Sequence, residues 1–184
     1  MGADLLDLRE IHSIGAGTRE WLTSPVGCPA LKRLGITLTG VSEAKESFRF
    51  VRPTPEWSQL LVTCSGVGRV LVDGTWRNLE PGDGYLTAPS ALHAYHALPR
   101  RPWLVCWVIF PTKMQPAKPT VIPVDHRPLH DAILNLHREC LGRGDAAVSV
   151  QWAELLHLLL RRAIAPAAGD GRLWRLWEAV DALP

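Results

Sequence analysis

The sequence predicts a mainly β fold, an antiparallel barrel or sandwich, followed by helices. From about residue 34 to residue 124, short runs of β-favouring residues are broken at close intervals by Gly, Pro and Asp, a pattern typical of antiparallel barrels and sandwiches. After Val124 the apolar residues recur about every 3.6 positions rather than every second one, which indicates helix. With 184 residues, of which 47% are hydrophobic, the chain is long enough for one domain with additional helices.

Two turns in the β region have clear sequence signals. VLVDGTWRNL, residues 70–79, predicts a hairpin in which Asp73 and Gly74 take the positive φ values of a tight turn. EPGD, residues 80–83, predicts the next turn, because proline fixes φ and glycine opens the corner.

The first helix is predicted to have Pro128 in its first turn, where proline is tolerated, and to end at Gly142 and Gly144. Its apolar stripe consists of Leu129, Ile133, Leu136 and Cys140.

A second helix is predicted after Asp145, which can cap it. One apolar face of this helix contains Val148, Trp152, Leu155, Leu156 and Leu159. Further apolar surface on its other sides comes from Val150, Leu158 and Leu160. Because such a helix needs cover on two sides, we expect one side to pack on the barrel. The five-residue face is then expected to pair with a second copy of the chain in a homodimer.

Charge and composition argue against several classes of function. Twenty Lys and Arg against eighteen Asp and Glu give a net charge of +2, too little to draw the chain onto nucleic acid or an anionic membrane. The first residues lack the apolar core of a secretory signal, and no apolar stretch reaches membrane-spanning length, so a cytoplasmic location is expected. The cysteines show no CxxC spacing and are expected to be reduced packing residues: Cys28, Cys64, Cys106 and Cys140.

The stretch from Arg52 to Phe110 resembles the effector-binding domain of AraC-family transcription regulators. Its marks, in order, are the G-x-G at Gly66 and Gly68, the PGD turn at 81–83, Pro89, the HxY at His93 and Tyr95, and the aromatic series Trp103, Trp107 and Phe110. Ala88 and Ser90 stand where cupins usually carry Pro and Gly.

Members of this family consist of a cupin-type jelly-roll barrel, helices that dimerise it, and a helix-turn-helix DNA-binding domain. The resemblance therefore implies an N-terminal arm and effector-binding barrel in residues 1–124 and a two-helix dimerisation segment in residues 125–165. Residues 166–184 would be a linker and the start of a DNA-binding domain that this chain lacks. DNA would then be contacted only through that further domain.

The resemblance raises the question of a metal, because metal-binding cupins use an HxH group, a following Glu and a later His. The strands that should supply the first group read QLLVTCSGVGRVLV, with no His, Asp or Glu before Asp73. His93 and His96 do not replace them, since residues three apart on a strand point to opposite faces. We therefore expect no metal, no other cofactor and no catalytic residue, and a chain that is not an enzyme by itself.

Strand alternation predicts which side chains line a cavity: Phe48, Phe50 and Arg52 share one face, and Trp103, Val105, Trp107 and Ile109 share another. By resemblance, Arg52, Tyr95 and Trp107 occupy positions that sugar-responsive members use for their effector. Val105 stands where the arabinose-type pocket has a histidine, so the expected ligand is not arabinose. The predicted ligand-binding set is Arg52, Tyr95, Trp107, His93, Val105 and Phe50. An indole can cover the C–H face of a sugar while a guanidinium and a phenol bond to its hydroxyls.

Structural roles stay open for the same residues. Arg52 can instead pair with Glu56, Tyr95 can bond to a backbone carbonyl, and His93 can be a satisfied structural histidine. Trp103 and Trp107 can both be core residues. The Gly-rich arm from Ile11 to Trp21 is expected to close over the pocket.

The leading function is an effector-sensing and dimerisation domain of an AraC-type regulator that binds a sugar or a similar small polar molecule. One alternative is a stand-alone cupin enzyme, such as a sugar isomerase or dioxygenase. The other is a purely structural dimerisation domain whose barrel is packed and empty.

Overall fold

A computed structural model describes residues 9–111 and 118–165, which form eleven strands and three helices. The strands are β1 (Ile11–Ser13), β2 (Arg19–Thr23), β3 (Leu38–Ala44), β4 (Arg49–Arg52), β5 (Ser58–Gly66), β6 (Gly68–Val72), β7 (Thr75–Leu79), β8 (Asp83–Thr87), β9 (His93–Ala97), β10 (Trp103–Phe110) and β11 (Thr120–Pro123). The helices are α1 (Pro29–Arg33), α2 (His126–Leu141) and α3 (Ala146–Ile164). The predicted mainly β class with C-terminal helices is confirmed. The expected linker and final helix of residues 166–184 lie outside the described residues.

The strands form two antiparallel sheets that face each other. One sheet has the order β1-β4-β9-β6-β7, and the other has the order β11-β8-β5-β10-β3-β2. Since successive side chains on a strand point to opposite faces, each sheet sends every second residue into the space between them. The largest fully buried side chains there are Phe48, Leu61, Leu79, Tyr85 and Trp103.

Both predicted turns occur as expected. Asp73 and Gly74 join β6 to β7 with φ values of 48° and 74°. At the second turn the amide of Asp83 donates to the carbonyl of Glu80 at 2.9 Å, and Gly82 has a φ of 92°. This second turn carries the chain from the five-stranded sheet to the six-stranded sheet.

The helices cover the outer face of the six-stranded sheet. Helix α2 buries Leu129, Ile133 and Leu136 there, and it ends at Gly142 as predicted. Helix α3 is capped by Asp145, whose side chain accepts hydrogen bonds from the amides of Ala147 and Val148. All four cysteines are free thiols in or beside this core, in agreement with the expected packing role. In the described part of the chain, no helix combines the length and the apolar character that crossing a membrane requires.

The expected dimer face of α3 is wrong at two positions. Leu156 is fully buried and Leu159 is only 9% exposed, both within the core that the chain forms by itself. The small residues Ser149 and Ala153 are buried beside them, which lets α3 approach its neighbours closely and turns this side inward. The large apolar side chains that α3 exposes are Val148, Leu155 and Leu158.

The N-terminal arm forms an edge strand in each sheet. β1 pairs with β4, placing His12 opposite Phe50, and β2 pairs with β3, placing Glu20 opposite Ser42. The arm therefore lies at the edges of the space between the sheets. Its closure over a ligand remains a prediction.

Candidate functional site

A polar cluster interrupts the apolar space between the two sheets at one end. Arg52 ends β4 and lies opposite His93, the first residue of β9, while Phe50 lies opposite Tyr95. These four side chains share the inner face of the five-stranded sheet, as strand alternation predicts. Gln59 reaches the cluster from β5 in the facing sheet.

The guanidinium of Arg52 organises this cluster. Its Nη1 atom lies 3.0 Å from the hydroxyl oxygen of Tyr95, 3.2 Å from Oε1 of Gln59 and 3.5 Å from Nε2 of His93. The guanidinium carbon lies 4.6 Å from the centre of the Phe50 ring and 5.7 Å from that of Tyr95. Gln59 Nε2 also donates to the Tyr95 hydroxyl, at 3.3 Å. Two hydrogen bonds and two aromatic faces thus hold the cation in one place.

Two of the structural alternatives do not occur. Among the described residues Arg52 forms no ion pair, and Glu56 is exposed. The Tyr95 hydroxyl bonds to the side chains of Arg52 and Gln59 instead of a backbone carbonyl.

His93 is a buried histidine that lacks one of its hydrogen bonds. It is 1% exposed, and its Nδ1 has no hydrogen-bond partner among the described residues. Burial, followed by the nearby charge of Arg52, lowers the pKa of His93 to about 3, and the backbone of Ala91 opposes this only in part. The imidazole is therefore neutral at physiological pH. Since Arg52 can only donate, the Nε2 atom that faces it acts as an acceptor.

Trp107 forms part of the opposite wall. Its Nε1 donates to Oγ of Ser42 at 2.9 Å, and Ser42 donates to Oε1 of Glu20 at 2.6 Å. A Cβ atom on Gly40 would lie 2.9 Å from Cζ2 of Trp107, so the indole packs where a side chain is missing. The N–H of Trp107 is therefore already engaged within the protein.

The other predicted residues differ in their surroundings. Val105 is fully buried in the same space between the sheets, and Phe50 is half-buried with its ring stacked on Tyr95 at 5.2 Å. Trp103 is fully buried, its Nε1 donates to Oγ1 of Thr63, and a Cβ atom on Gly68 would collide with its ring. Trp103 is therefore a core residue.

Sequence reasoning missed three polar residues of this region: Gln59 in the cluster of Arg52, and Ser42 and Glu20 beside Trp107 on the opposite wall. Gln59 is 4% exposed and occurs in the apolar strand β5. An isolated polar residue on the inner side of such a strand was the available signal. Ser42 and Glu20 gave no signal, because their roles depend on the pairing of β2 with β3.

The histidines and acidic residues of the described segments do not come together as metal ligands. No group of three or more His, Cys, Asp and Glu side chains there is placed to hold a metal ion. His96 points away from His93, as expected from their spacing, and its ring lies edge-on against Trp76 at 4.8 Å.

Comparison with known proteins gave one family match and several structural likenesses. The sequence model of the family described as the AraC-like ligand binding domain matches residues 35–160. No curated protein matches the sequence.

Among solved structures, the AraC-like transcriptional activator CuxR has a TM-score of 0.50 at 12% identity, over 82% of this chain and 64% of that chain. The Cupin_2 domain of an XRE family transcriptional regulator from Enterobacter cloacae has a TM-score of 0.41 at 22% identity, over 50% of this chain and 95% of that chain. KdgF from Halomonas sp. has a TM-score of 0.42 at 16% identity, over 54% of this chain and 84% of that chain. At these identities the likeness to CuxR concerns the fold alone.

Proposed function

Because the chain belongs to the family of AraC-like ligand binding domains, we propose that it is the effector-sensing and dimerisation domain of an AraC-type transcription regulator. It binds a sugar or a similar small polar molecule, without a metal, between the two sheets. The proposed contacts are Arg52, Tyr95, Trp107, His93, Val105 and Phe50, together with Gln59.

The observation that carries this proposal is the position of Arg52. Its guanidinium is half-buried at one end of the space between the sheets, held by the neutral side chains of Gln59 and Tyr95. A charged group in such surroundings is costly unless it serves a further partner. The aromatic faces of Phe50, Tyr95 and Trp107 can cover the apolar side of a sugar while the polar groups bond to its hydroxyls.

The dimer is proposed to form through the apolar side chains that α3 leaves accessible. Val148, Leu155 and Leu158 are 40%, 42% and 61% exposed, and Trp152 beside them is half-buried. A second copy of α3 would remove this surface from water. Leu156 and Leu159 are not included, because they belong to the core of the single chain.

Regulation follows from linkage. An effector that binds one arrangement of the dimer more tightly shifts the population toward it and so changes the DNA affinity of an attached domain. Since a transcription regulator must reach DNA, the proposed location is the cytoplasm.

A thermal-shift screen of monosaccharides, disaccharides and sugar acids tests the proposal. A compound that binds only the folded state must raise the unfolding temperature. We expect Arg52→Ala and Trp107→Ala to abolish this shift, whereas Arg77→Ala, which alters an exposed arginine on β7, leaves it intact. If the shift persists in both site variants, the proposed pocket is wrong.

The same screen separates the proposal from its alternatives. A purely structural domain would show no shift with any compound. An enzyme would convert the bound compound, whereas we expect it to be recovered unchanged after prolonged incubation with the protein.

A further inference from the structure

The charge on Arg52 has no counter-charge within the part of the chain that the structure describes. None of the ion pairs there includes Arg52, and its polar contacts go to Gln59, His93 and Tyr95. As far as the described residues go, the cluster of Arg52, Gln59, His93 and Tyr95 therefore carries a net positive charge.

The side chains around Arg52 do not reduce this charge. Gln59, Tyr95 and Phe50 are neutral, and His93 is neutral because burial lowers its pKa to about 3. An aromatic face stabilises a cation only partly. The half-buried guanidinium is thus held by weak partners only.

Carboxylates at the edges of the same space are already engaged. Glu20 accepts the hydrogen bond of Ser42, which in turn holds Trp107. Glu10 lies 3.3 Å from Nε2 of His12, and both side chains are more than half exposed. Neither carboxylate contacts Arg52.

Arg52 also keeps part of its hydrogen-bonding capacity unused. Its polar contacts all involve Nη1, whereas Nε and Nη2 have no hydrogen-bond partner among the described residues. These two nitrogens form the side edge of the guanidinium, whose parallel N–H groups match the two oxygens of a carboxylate. A neutral sugar hydroxyl would bind this edge more weakly, because a hydroxyl carries no negative charge.

We propose that the effector is a sugar acid whose carboxylate binds the Nε and Nη2 edge of Arg52 while its ring lies against the aromatic faces of the site. This inference rests on the proposed sensing function and specifies its ligand. A carboxylate would supply the missing counter-charge, and a charge-assisted pair of hydrogen bonds is stronger than the contacts of a neutral hydroxyl.

Matched pairs of hexoses and hexuronates test this inference. Glucose and glucuronate, galactose and galacturonate, and mannose and mannuronate each differ only in a CH₂OH group against a carboxylate. Calorimetric titration of the full chain should show that at least one uronate binds at least tenfold more tightly than its parent sugar. Added NaCl should weaken the binding of the uronate and leave the binding of the parent sugar nearly unchanged, since salt screens charge.

Variants of Arg52 then test the assigned contact. Arg52→Gln removes the charge and should reduce uronate binding to the level of the parent sugar. Arg52→Lys keeps the charge but loses the planar fork, so it should give intermediate binding. Arg77→Gln, at an exposed position on β7, should bind like the unmodified protein. Thermal unfolding of each variant without ligand shows whether the variant is folded. If Arg52→Gln is unfolded, the Arg52→Lys variant and the salt titration still test the contact.

The outcomes distinguish the inference from the function on which it rests. If neutral sugars bind as tightly as their uronates, the inference is wrong and the proposed function stands. If the uronate preference persists in folded Arg52→Gln, the carboxylate contact is wrong. If neither class binds at millimolar concentration, a carbohydrate effector is excluded, and the proposed function loses its ligand along with the inference.

Discussion

The Nη1 atom of Arg52 lies 3.0 Å from the hydroxyl oxygen of Tyr95, and this contact joins the end of β4 to the middle of β9 inside the space between the sheets. The Tyr95 hydroxyl also accepts from Gln59 in the facing sheet. One phenol therefore connects the two sheets and fixes the cation that the proposed ligand would meet.

Tyr95→Phe is expected to lower both stability and ligand binding. Without the hydroxyl, Arg52 and Gln59 each lose an acceptor, which should cost about 1 to 2 kcal/mol of unfolding free energy. Urea unfolding and the ligand-induced thermal shift measure the two effects. Tyr85→Phe is the matched control, because the Tyr85 hydroxyl donates to the carbonyl of Leu71 instead. The Tyr85→Phe variant should lose stability but keep the ligand-induced thermal shift. Equal ligand-induced shifts in Tyr85→Phe and Tyr95→Phe would contradict the role of Tyr95 in binding.

His93 should make the stability depend on pH. The unfolded state takes up a proton near the ordinary pKa of 6.5, whereas the folded state does so only near 3. The stabilisation from a neutral His93 is therefore complete above about pH 6.5 and is lost as the pH falls toward 3. The unfolding free energy of the protein minus that of His93→Gln should fall by about 1 kcal/mol per pH unit across this window. A difference that stays flat with pH would show that His93 titrates normally.

Gly40→Ala should displace Trp107 and weaken ligand binding. The new Cβ atom would lie 2.9 Å from Trp107, 2.8 Å from the side chain of Leu22 and 2.8 Å from the carbonyl oxygen of Trp21. Overpacking of this kind costs about 1 to 3 kcal/mol. Gly27→Ala is the control, because its nearest contact would be an ordinary 3.8 Å to Ser24. Unfolding temperatures that match in the two variants would mean that the indole does not need the space above Gly40.

Two leucines of α3, two positions apart, should respond differently to the same charge change. Leu158→Glu alters a side chain that is 61% exposed and should yield a folded monomer. Leu156→Glu places a carboxylate at a fully buried position and should unfold the chain. Analytical ultracentrifugation measures the mass of each variant in solution, and circular dichroism shows whether the variant is folded. A Leu158→Glu protein that remains dimeric would exclude this face of α3 as the interface.

Local signals explain which parts of the fold were predictable. The hairpin at Asp73 and Gly74 and the cap at Asp145 depend on a few adjacent residues, and both occur as predicted. Strand alternation likewise grouped Phe50 with Arg52, whereas the pairing of Arg52 with Tyr95 on a neighbouring strand was implied by the family resemblance.

The rest depended on packing between distant segments. The contacts of Gln59 with Tyr95 and of Ser42 with Trp107 join residues 36 and 65 positions apart, so they follow from strand register and sheet packing. The rotation of α3 was misjudged because the small buried residues Ser149 and Ala153 turn Leu156 inward. The pattern of large apolar residues alone does not contain this information.

The central claim is that the space between the sheets receives a small polar molecule through Arg52. A crystal structure of the protein with the compound that gives the largest thermal shift tests it most directly. We expect the compound between the sheets, within hydrogen-bond distance of Arg52 and against the face of Trp107. A compound bound elsewhere on the surface, with the cluster of Arg52, Gln59 and Tyr95 unchanged, would contradict this account.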